Sequence, residues 1–99
     1  MTTQLKMVGP VVSGMDGALA EAVITAIEDD NPGMDVGIGD QGGYIRIQTP
    51  GRCRITRASL EDALGRTFHM HELEPSLAGF AGRMQVTDED IIWYLERED

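Results

Sequence analysis

The sequence predicts an α+β fold: a single compact domain of mainly antiparallel strands with one longer and two short helices, in the order β-α-β-β-β-α-α-β-β. One segment, residues 16–28, has helical periodicity over about three turns. Short alternating segments occur in clusters rather than in strict alternation with helices, which favours α+β over α/β. The 99 residues suffice for one domain. We expect it at residues 7–95, between a flexible tail of residues 1–6 and a charged tail of residues 96–99.

Strands are predicted where apolar and polar side chains alternate. The first, at residues 7–12, contains Pro10, which cannot donate to a strand ladder and belongs at an edge or a bulge. The segments at residues 44–49 and 52–57 share one in-and-out pattern on either side of a turn, so they predict an antiparallel hairpin. Another strand is expected at residues 34–38, and a last pair of strands at residues 84–87 and 91–95, around an acidic turn at residues 88–90.

The end of the long helix is acidic, although basic side chains are favoured there. Glu28, Asp29 and Asp30 crowd this end, and Pro32 stops the helix by residue 30 or 31. Each exposed charge costs roughly a few tenths of a kcal/mol, which a fold can tolerate. We refer to residues 29–33 as the acidic knuckle. Two interpretations stay open: a solvated loop, or a surface that contacts a partner.

Two short helices are expected after the predicted hairpin. Ser59 is a favourable N-cap for the first, and Gly65 stops it in the left-handed conformation. The second begins at Thr67 or His69. Phe80 follows as a predicted core aromatic in a loop of small residues.

The chain is strongly acidic, with 17 acidic and 8 basic residues and a net charge of −9. This charge argues against nucleic acid or an anionic membrane as the main partner and favours encounter with a basic or dipolar protein surface. The single cysteine, Cys53, excludes an internal disulfide and suits a reducing compartment. The sequence has neither an apolar run of about 20 residues nor a signal pattern. The expected location is the cytoplasm.

The basic residues are unevenly distributed. Residues 41–60 contain no acidic residue and four of the eight basic ones. Among these, Arg46, Arg52 and Arg54 are expected on one face of the predicted hairpin. This face either offsets acidic residues within the molecule or forms a dipolar docking surface that orients the protein on a partner.

No catalytic, cofactor-binding or metal-binding pattern is predicted. His69 and His71 are two residues apart and point in different directions on a strand or a helix, so they would rarely bind one metal ion. Cys53 lies on the apolar face of its strand, where a buried thiol is expected rather than a nucleophile. The glycines of residues 37–43 precede another strand, whereas a phosphate loop precedes a helix. An enzyme that uses Cys53 or the histidines is therefore only an alternative hypothesis.

Six short segments between residues 8 and 82 carry a family resemblance. They are Val8-Gly9-Pro10, Asp30-Asn31-Pro32-Gly33, Tyr44-Ile45-Arg46-Ile47, Ser59-Leu60-Glu61-Asp62-Ala63-Leu64-Gly65-Arg66, Met70-His71-Glu72-Leu73-Glu74 and Leu77-Ala78-Gly79-Phe80-Ala81-Gly82. In this order and at these spacings the chain resembles the effector (coupling) proteins of bacterial multicomponent di-iron monooxygenases. It is most similar to the toluene and alkene monooxygenase branch, and more distantly to the regulatory proteins of phenol hydroxylase and soluble methane monooxygenase.

The resemblance implies a non-catalytic protein without a cofactor that binds the large hydroxylase component near its di-iron site. Such binding couples NADH and O₂ consumption to hydroxylation or epoxidation. The Asp30-Asn31-Pro32-Gly33 turn would then lie on the hydroxylase surface above the active site, with Asn31 offering side-chain hydrogen bonds. The alternative is a small-molecule-sensing regulatory domain of the ferredoxin-like kind. The expected partner-binding residues are Asp29, Asp30, Asn31, Pro32, Gly33, Arg46 and Arg54.

Overall fold

The computed structural model describes residues 6–95, so the predicted tails lie outside it except for Lys6. Within this range the chain forms two α-helices, α1 (Gly17–Asp30) and α2 (Arg57–Leu64), and 3₁₀ turns at Met70–Glu72 and Glu74–Ser76. The strands of the same range are β1 (Met7–Ser13), β2 (Gly37–Asp40), β3 (Tyr44–Pro50), β4 (Arg52–Thr56), β5 (Leu77–Ala81), β6 (Arg83–Val86) and β7 (Asp90–Tyr94).

The strands form two antiparallel sheets. The first has the strand order β2-β3-β1-β5, and the second has the order β4-β7-β6. The buried face of α1 shares one hydrophobic core with inward-facing side chains of both sheets, including Ile47, Ile55 and Trp93. This arrangement confirms the predicted α+β fold.

Helix α1 forms where the apolar periodicity predicts it. Leu19, Val23 and Ile27 lie on its buried face. Asp16 is the N-cap, and its Oδ1 accepts a hydrogen bond from the backbone N–H of Leu19 at 3.0 Å. The helix ends at Asp30, which agrees with the limit that the following proline imposes.

The predicted hairpin of β3 with β4 is wrong. β3 pairs with β1 and β2, whereas β4 pairs with β7 in the other sheet. Only Gly51, at a φ of 75°, separates the two strands, and tight hairpins commonly need two loop residues. The chain therefore turns a corner from one sheet into the other. As a result, Arg46 does not share a sheet face with Arg52 and Arg54.

Strand β1 lies inside the first sheet, which excludes the edge among the two positions expected for Pro10, an edge or a bulge. The pairing with β3 occurs at Val8 and Val11, on either side of Gly9 and Pro10. Gly9 has a φ of 144°, and a Cβ there would overlap the carbonyl oxygen of Ile47. An irregularity of the kind expected near Pro10 occurs on the other side of β1, where the register with β5 shifts after Val11.

The segments after β4 follow the prediction in part. Thr56, rather than Ser59, is the N-cap of α2, and its hydroxyl accepts a hydrogen bond from the Ser59 backbone N–H at 3.2 Å. Gly65 ends the helix in the left-handed conformation, as predicted. The second short helix is instead a pair of 3₁₀ turns, the latter containing Pro75. The last two strands, β6 and β7, pair as expected.

The predicted loop of residues 78–82 is mostly strand β5. Phe80 is 45% exposed rather than buried, because β5 is an edge strand whose side chains extend past the core. Ile38, on β2 at the opposite edge of the same sheet, is 50% exposed for the same reason. The strand predicted at residues 34–38 therefore lies further along the chain, at Gly37–Asp40. Met34 and Val36 are half-buried as its alternation predicted, whereas Ile38 is exposed.

Gly9→Ala is expected to lower the free energy of unfolding by about 2 kcal/mol or more, because the new methyl group would overlap the Ile47 carbonyl at an unfavourable φ. Gly39→Ala is the matched control, since a Cβ at that position contacts nothing within 4 Å. Urea unfolding measures both variants. Equal stability of the two would contradict the prediction.

Candidate partner-binding surface

Asn31, in the acidic knuckle, connects the end of α1 to β4. Its Nδ2 donates to the carbonyl oxygens of Ile27 at 2.7 Å and Arg54 at 2.8 Å. Its Oδ1 accepts a hydrogen bond from the Arg54 backbone N–H at 3.0 Å. The side-chain amide thus pairs with both backbone groups of Arg54, as a neighbouring strand would.

These bonds change the role expected for Asn31. The residue is only 6% exposed, and both protons of its amide nitrogen are already donated within the molecule. The side chain therefore cannot donate a hydrogen bond to a partner without breaking an internal one. Asn31 supports the knuckle instead of presenting a contact at its surface.

Asp30 performs a similar task at the start of α2. Its Oδ2 accepts hydrogen bonds from the backbone N–H of Thr56 at 2.7 Å and from the Thr56 hydroxyl at 3.0 Å. Its Oδ1 accepts a hydrogen bond from the Ser59 hydroxyl at 2.7 Å. A carboxylate is unfavourable at the end of one helix but favourable at the beginning of another. The acidic residue at the very end of α1 is explained, because Asp30 lies against the beginning of α2.

The remaining knuckle residues face solvent. Asp29, Pro32 and Gly33 are exposed, and the Asp29 carboxylate forms no hydrogen bond or ion pair with any residue of the described range 6–95. Gly33 has a φ of 79° and open space where a Cβ would be. We refer to these three residues as the knuckle surface. They form an exposed acidic turn whose position is held by two anchors behind it, the half-buried Asp30 and the buried Asn31.

Arg54 belongs to this region through its backbone, and its guanidinium is directed elsewhere. The Nε atom donates to Asp90 Oδ2 at 3.1 Å, while the side chain remains 43% exposed. The structure therefore brings Arg54 together with the knuckle, as expected of a common site. Its charge, however, is already paired within the molecule.

Arg46 lies apart from the knuckle, on the face of the first sheet that is turned away from the core. Residues directly opposite in an antiparallel ladder share a face, and the ladders align Gly39, Arg46, Val11 and Gly79 across all four strands. The Arg46 side chain is exposed, and its guanidinium forms no hydrogen bond or ion pair with any residue between 6 and 95. We refer to this surface as the open sheet face.

The open sheet face also carries an aromatic residue that the sequence analysis did not propose for binding. Tyr44 precedes Arg46 by two residues on the same face and is 51% exposed. A shallow groove of about 260 Å³ runs beside Arg46, along Met7, Gly37 and Gln48. Exposed tyrosine and arginine side chains side by side are typical of protein–protein contact surfaces. The alternation of the strand could have indicated Tyr44, because it places both residues on the polar face.

Cys53 is unsuited to nucleophilic chemistry, as predicted. The thiol is buried, and burial raises its pKa to about 11 against a weaker opposing effect of a hydrogen bond with Thr49. At neutral pH it is therefore protonated, and the thiolate is the nucleophilic form.

The histidines differ from the expectation that they would point apart. The rings of His69 and His71 stack, with centroids 5.7 Å apart. They line a cleft of about 420 Å³ together with Arg57, which is paired with Glu61 at 3.1 Å and Glu89 at 3.3 Å. Within residues 6–95 no third side chain is placed to complete a metal site.

The ion pair of Arg57 with Glu61 beside this cleft is structural. The Glu61 carboxylate accepts a hydrogen bond from the Phe68 backbone N–H at 2.8 Å and another from Arg57 at 3.1 Å. Both contacts lower the pKa of Glu61, and the hydrogen bond from the Phe68 backbone has a larger effect than the one from Arg57. Glu61 thereby holds the segment after α2 against that helix.

A firmly held acidic turn and an exposed sheet face with an unpaired arginine are features of a domain that acts by binding another protein. The chain belongs to the MmoB/DmpM family, whose family model matches residues 6–94. The family resemblance expected from the sequence is thereby confirmed. In addition, no helix in the described residues is long and apolar enough to span a membrane.

The relatives support the assignment in sequence and in structure. The chain is 47% identical over 88 residues to the alkene monooxygenase system effector subunit of Xanthobacter autotrophicus, covering 89% of this chain and 85% of that protein. It matches a chain of the phenol hydroxylase–regulatory protein complex at a TM-score of 0.78 and 27% identity, covering 92% of this chain and all of that one. Soluble methane monooxygenase regulatory protein B shares the fold, with a TM-score of 0.67 and 18% identity over 97% of this chain and 70% of that one.

Asn31→Ala is expected to lower the free energy of unfolding by about 2–3 kcal/mol, because it leaves the backbone N–H and carbonyl groups of Arg54 without partners. The Ile27 carbonyl keeps the hydrogen bond from the backbone N–H of residue 31. Asp29→Ala is the control in the same turn, with an expected change within about 0.5 kcal/mol. Denaturant unfolding distinguishes the two. A stable Asn31→Ala variant would show that the knuckle does not depend on this amide.

Proposed function

We propose that this protein is the non-catalytic effector of a toluene/alkene-type di-iron monooxygenase. It binds the hydroxylase component, tunes its active site, and couples NADH and O₂ consumption to hydroxylation or epoxidation. The observation that carries the proposal is the 47% identity to an alkene monooxygenase effector subunit over 89% of this chain. The similarity to a chain of the phenol hydroxylase–regulatory protein complex supports direct contact with a hydroxylase as its mode of action. The comparisons favour this function over the small-molecule-sensing alternative.

The knuckle surface is the first contact that we propose. Asp30 and Asn31 hold the turn through hydrogen bonds to β4 and α2, so little conformational freedom remains to be lost when a partner binds. Asp29 then presents an unpaired carboxylate, and Pro32 and Gly33 present backbone and a small apolar surface. A positively charged or amide-rich surface of the hydroxylase suits this turn.

The open sheet face is the second contact. Arg46 is an unpaired cation on a molecule of net charge −9, so it favours an acidic site on the partner. Its charge is opposite in sign to that of the knuckle surface. Opposite charges on two separate surfaces orient a protein on its partner during encounter. Arg54 contributes less, because its guanidinium is shared with Asp90.

We infer that the protein works in the cytoplasm, with neither nucleic acid nor a membrane as its partner. The free thiol of Cys53 is compatible with a reducing compartment. The strong negative charge of the chain disfavours binding to nucleic acid or to anionic lipids.

The proposed function is tested by reconstituting the cognate hydroxylase with its electron-transfer components, with and without this protein. The expected result is a saturable increase in product formed per NADH oxidised, complete near an equimolar ratio to the hydroxylase active site. The protein alone should turn over no substrate. If turnover, coupling and product distribution are unchanged by its addition, the proposal is wrong.

Arg46→Glu is expected to raise the effector concentration needed for half-maximal stimulation by about tenfold or more, because it places a like charge on an acidic partner site. Arg52→Glu, which makes the same charge change at an exposed position of the second sheet, should remain within about threefold of wild type. Stimulation curves at two salt concentrations measure both variants. Equal curves for the two would remove the open sheet face from the interface.

A further inference from the structure

The two sheets have four edge strands, and they differ in how they are protected. Edge strands present unpaired backbone groups, and charged residues on them hinder unwanted pairing. β2 contains Asp40, β4 contains Arg52 and Arg54, and β6 contains Arg83. β5, with the sequence Leu-Ala-Gly-Phe-Ala, contains neither a charge nor a proline. It is therefore the edge best suited to accept another strand.

The exposed groups of β5 are consistent with this role. One side of the strand pairs with β1, and no strand within residues 6–95 lies on the other side. Gly79 and Leu77 have partner residues on β1, whereas Ala78 between them has none because the register shifts there. Ala78 is exposed. Phe80 is opposite the buried Pro10, yet 45% of it is exposed. A strand added beside β5 would pair the free backbone groups and cover this ring.

We propose that β5 receives an extended segment of the hydroxylase component, which adds a fifth strand to the first sheet. This inference rests on the proposed function. The ladders place Gly79 of β5 in line with Arg46 of β3, two strands away. At about 4.8 Å between strands the two positions are about 10 Å apart. One partner can therefore contact the open sheet face and the β5 edge together.

The side chains of β5 also indicate what kind of segment fits. Gly79 and Ala81 leave space on the open sheet face, whereas Phe80 fills the opposite face. Neighbouring strands pack well when large side chains lie beside small ones. The incoming segment should therefore be uncharged along its length, with bulky residues on the face of Gly79. A basic residue is expected at the end that lies near Glu74, which precedes β5 and is exposed.

A second copy of this chain is a less suitable occupant than the hydroxylase. Two copies would each bring a net charge of −9, and like charges oppose their association. Pairing two strands of five residues also buries much less than the roughly 1,200 Å² of a stable interface. A large partner that contacts other surfaces at the same time does not depend on the strand pairing alone.

The experiment places a lysine on the edge and compares it with a matched lysine elsewhere. Ala78→Lys should raise the half-saturating concentration for stimulation of the hydroxylase by about tenfold or more, because a desolvated charge blocks strand addition. Gln85→Lys, at an exposed position of β6, should stay within about threefold of wild type. Thermal unfolding of both variants establishes that they are folded.

Hydrogen exchange provides a second measurement that needs no variant. Backbone amides of residues 77–81 should exchange at least about tenfold more slowly in the hydroxylase complex than in the free protein. Amides of residues 83–86, on β6, should be unchanged. Protection of β5 together with the effect of Ala78→Lys would support strand addition.

The outcomes separate this inference from the proposed function. If wild type stimulates the hydroxylase while Ala78→Lys matches it and β5 gains no protection, strand addition is wrong and the effector function stands. If wild type neither binds nor stimulates the hydroxylase, the proposed function is wrong, and this inference with it. A wild-type dimer in sedimentation that Ala78→Lys abolishes would make a second copy the occupant and overturn the proposal.

Discussion

The hydrogen bonds of Asp30 and Asn31 join segments that lie far apart in the sequence: the end of α1, strand β4 and the beginning of α2. Asn31 connects the end of α1 to the backbone of Arg54, and Asp30 connects it to Thr56 and Ser59. Each bond contributes only about 1 kcal/mol net, but the loss of one partner in a buried site costs more than that. Because the bonds converge on two consecutive residues, the position of α1 relative to the second sheet depends on them.

The same anchors explain why the site could be located from the sequence but not described in detail. The unusual turn was indicated at the right place by local signals. These are Pro32, the acidic residues before it, and the end of the apolar periodicity of α1. The partners of Asp30 and Asn31 on β4 and α2 are 23 to 29 residues away, and no local pattern contains them. The predicted contact residues therefore included two anchors, whereas Asp29, Pro32 and Gly33 are the exposed ones. Tyr44 was missed because alternation was used to assign strands and not to find exposed aromatic residues.

A similar limit applies to the fold. Periodicity correctly indicated α1, the glycine that ends α2, and the hairpin of β6 with β7, since each depends on neighbouring residues. It did not indicate which strand lies beside which. β3 and β4 have matching patterns, yet the single residue Gly51 directs them into different sheets. Phe80 looked like a core residue because apolar side chains usually are buried, but an edge position leaves part of such a ring exposed.

Charge placement connects these structural features with binding. Acidic residues outnumber basic ones in the chain, 17 to 8. The unpaired arginine on the open sheet face and the uncharged strand at the edge of that sheet therefore differ from the rest of the surface. Charged edges reject additional strands, and three of the four edges in the described residues have such charges. Specificity in binding depends on excluding wrong contacts as well as on forming correct ones. Within residues 6–95, the uncharged edge strand β5 lies in the same sheet as the exposed Tyr44 and Arg46. Together they limit both where a partner can dock and in which orientation.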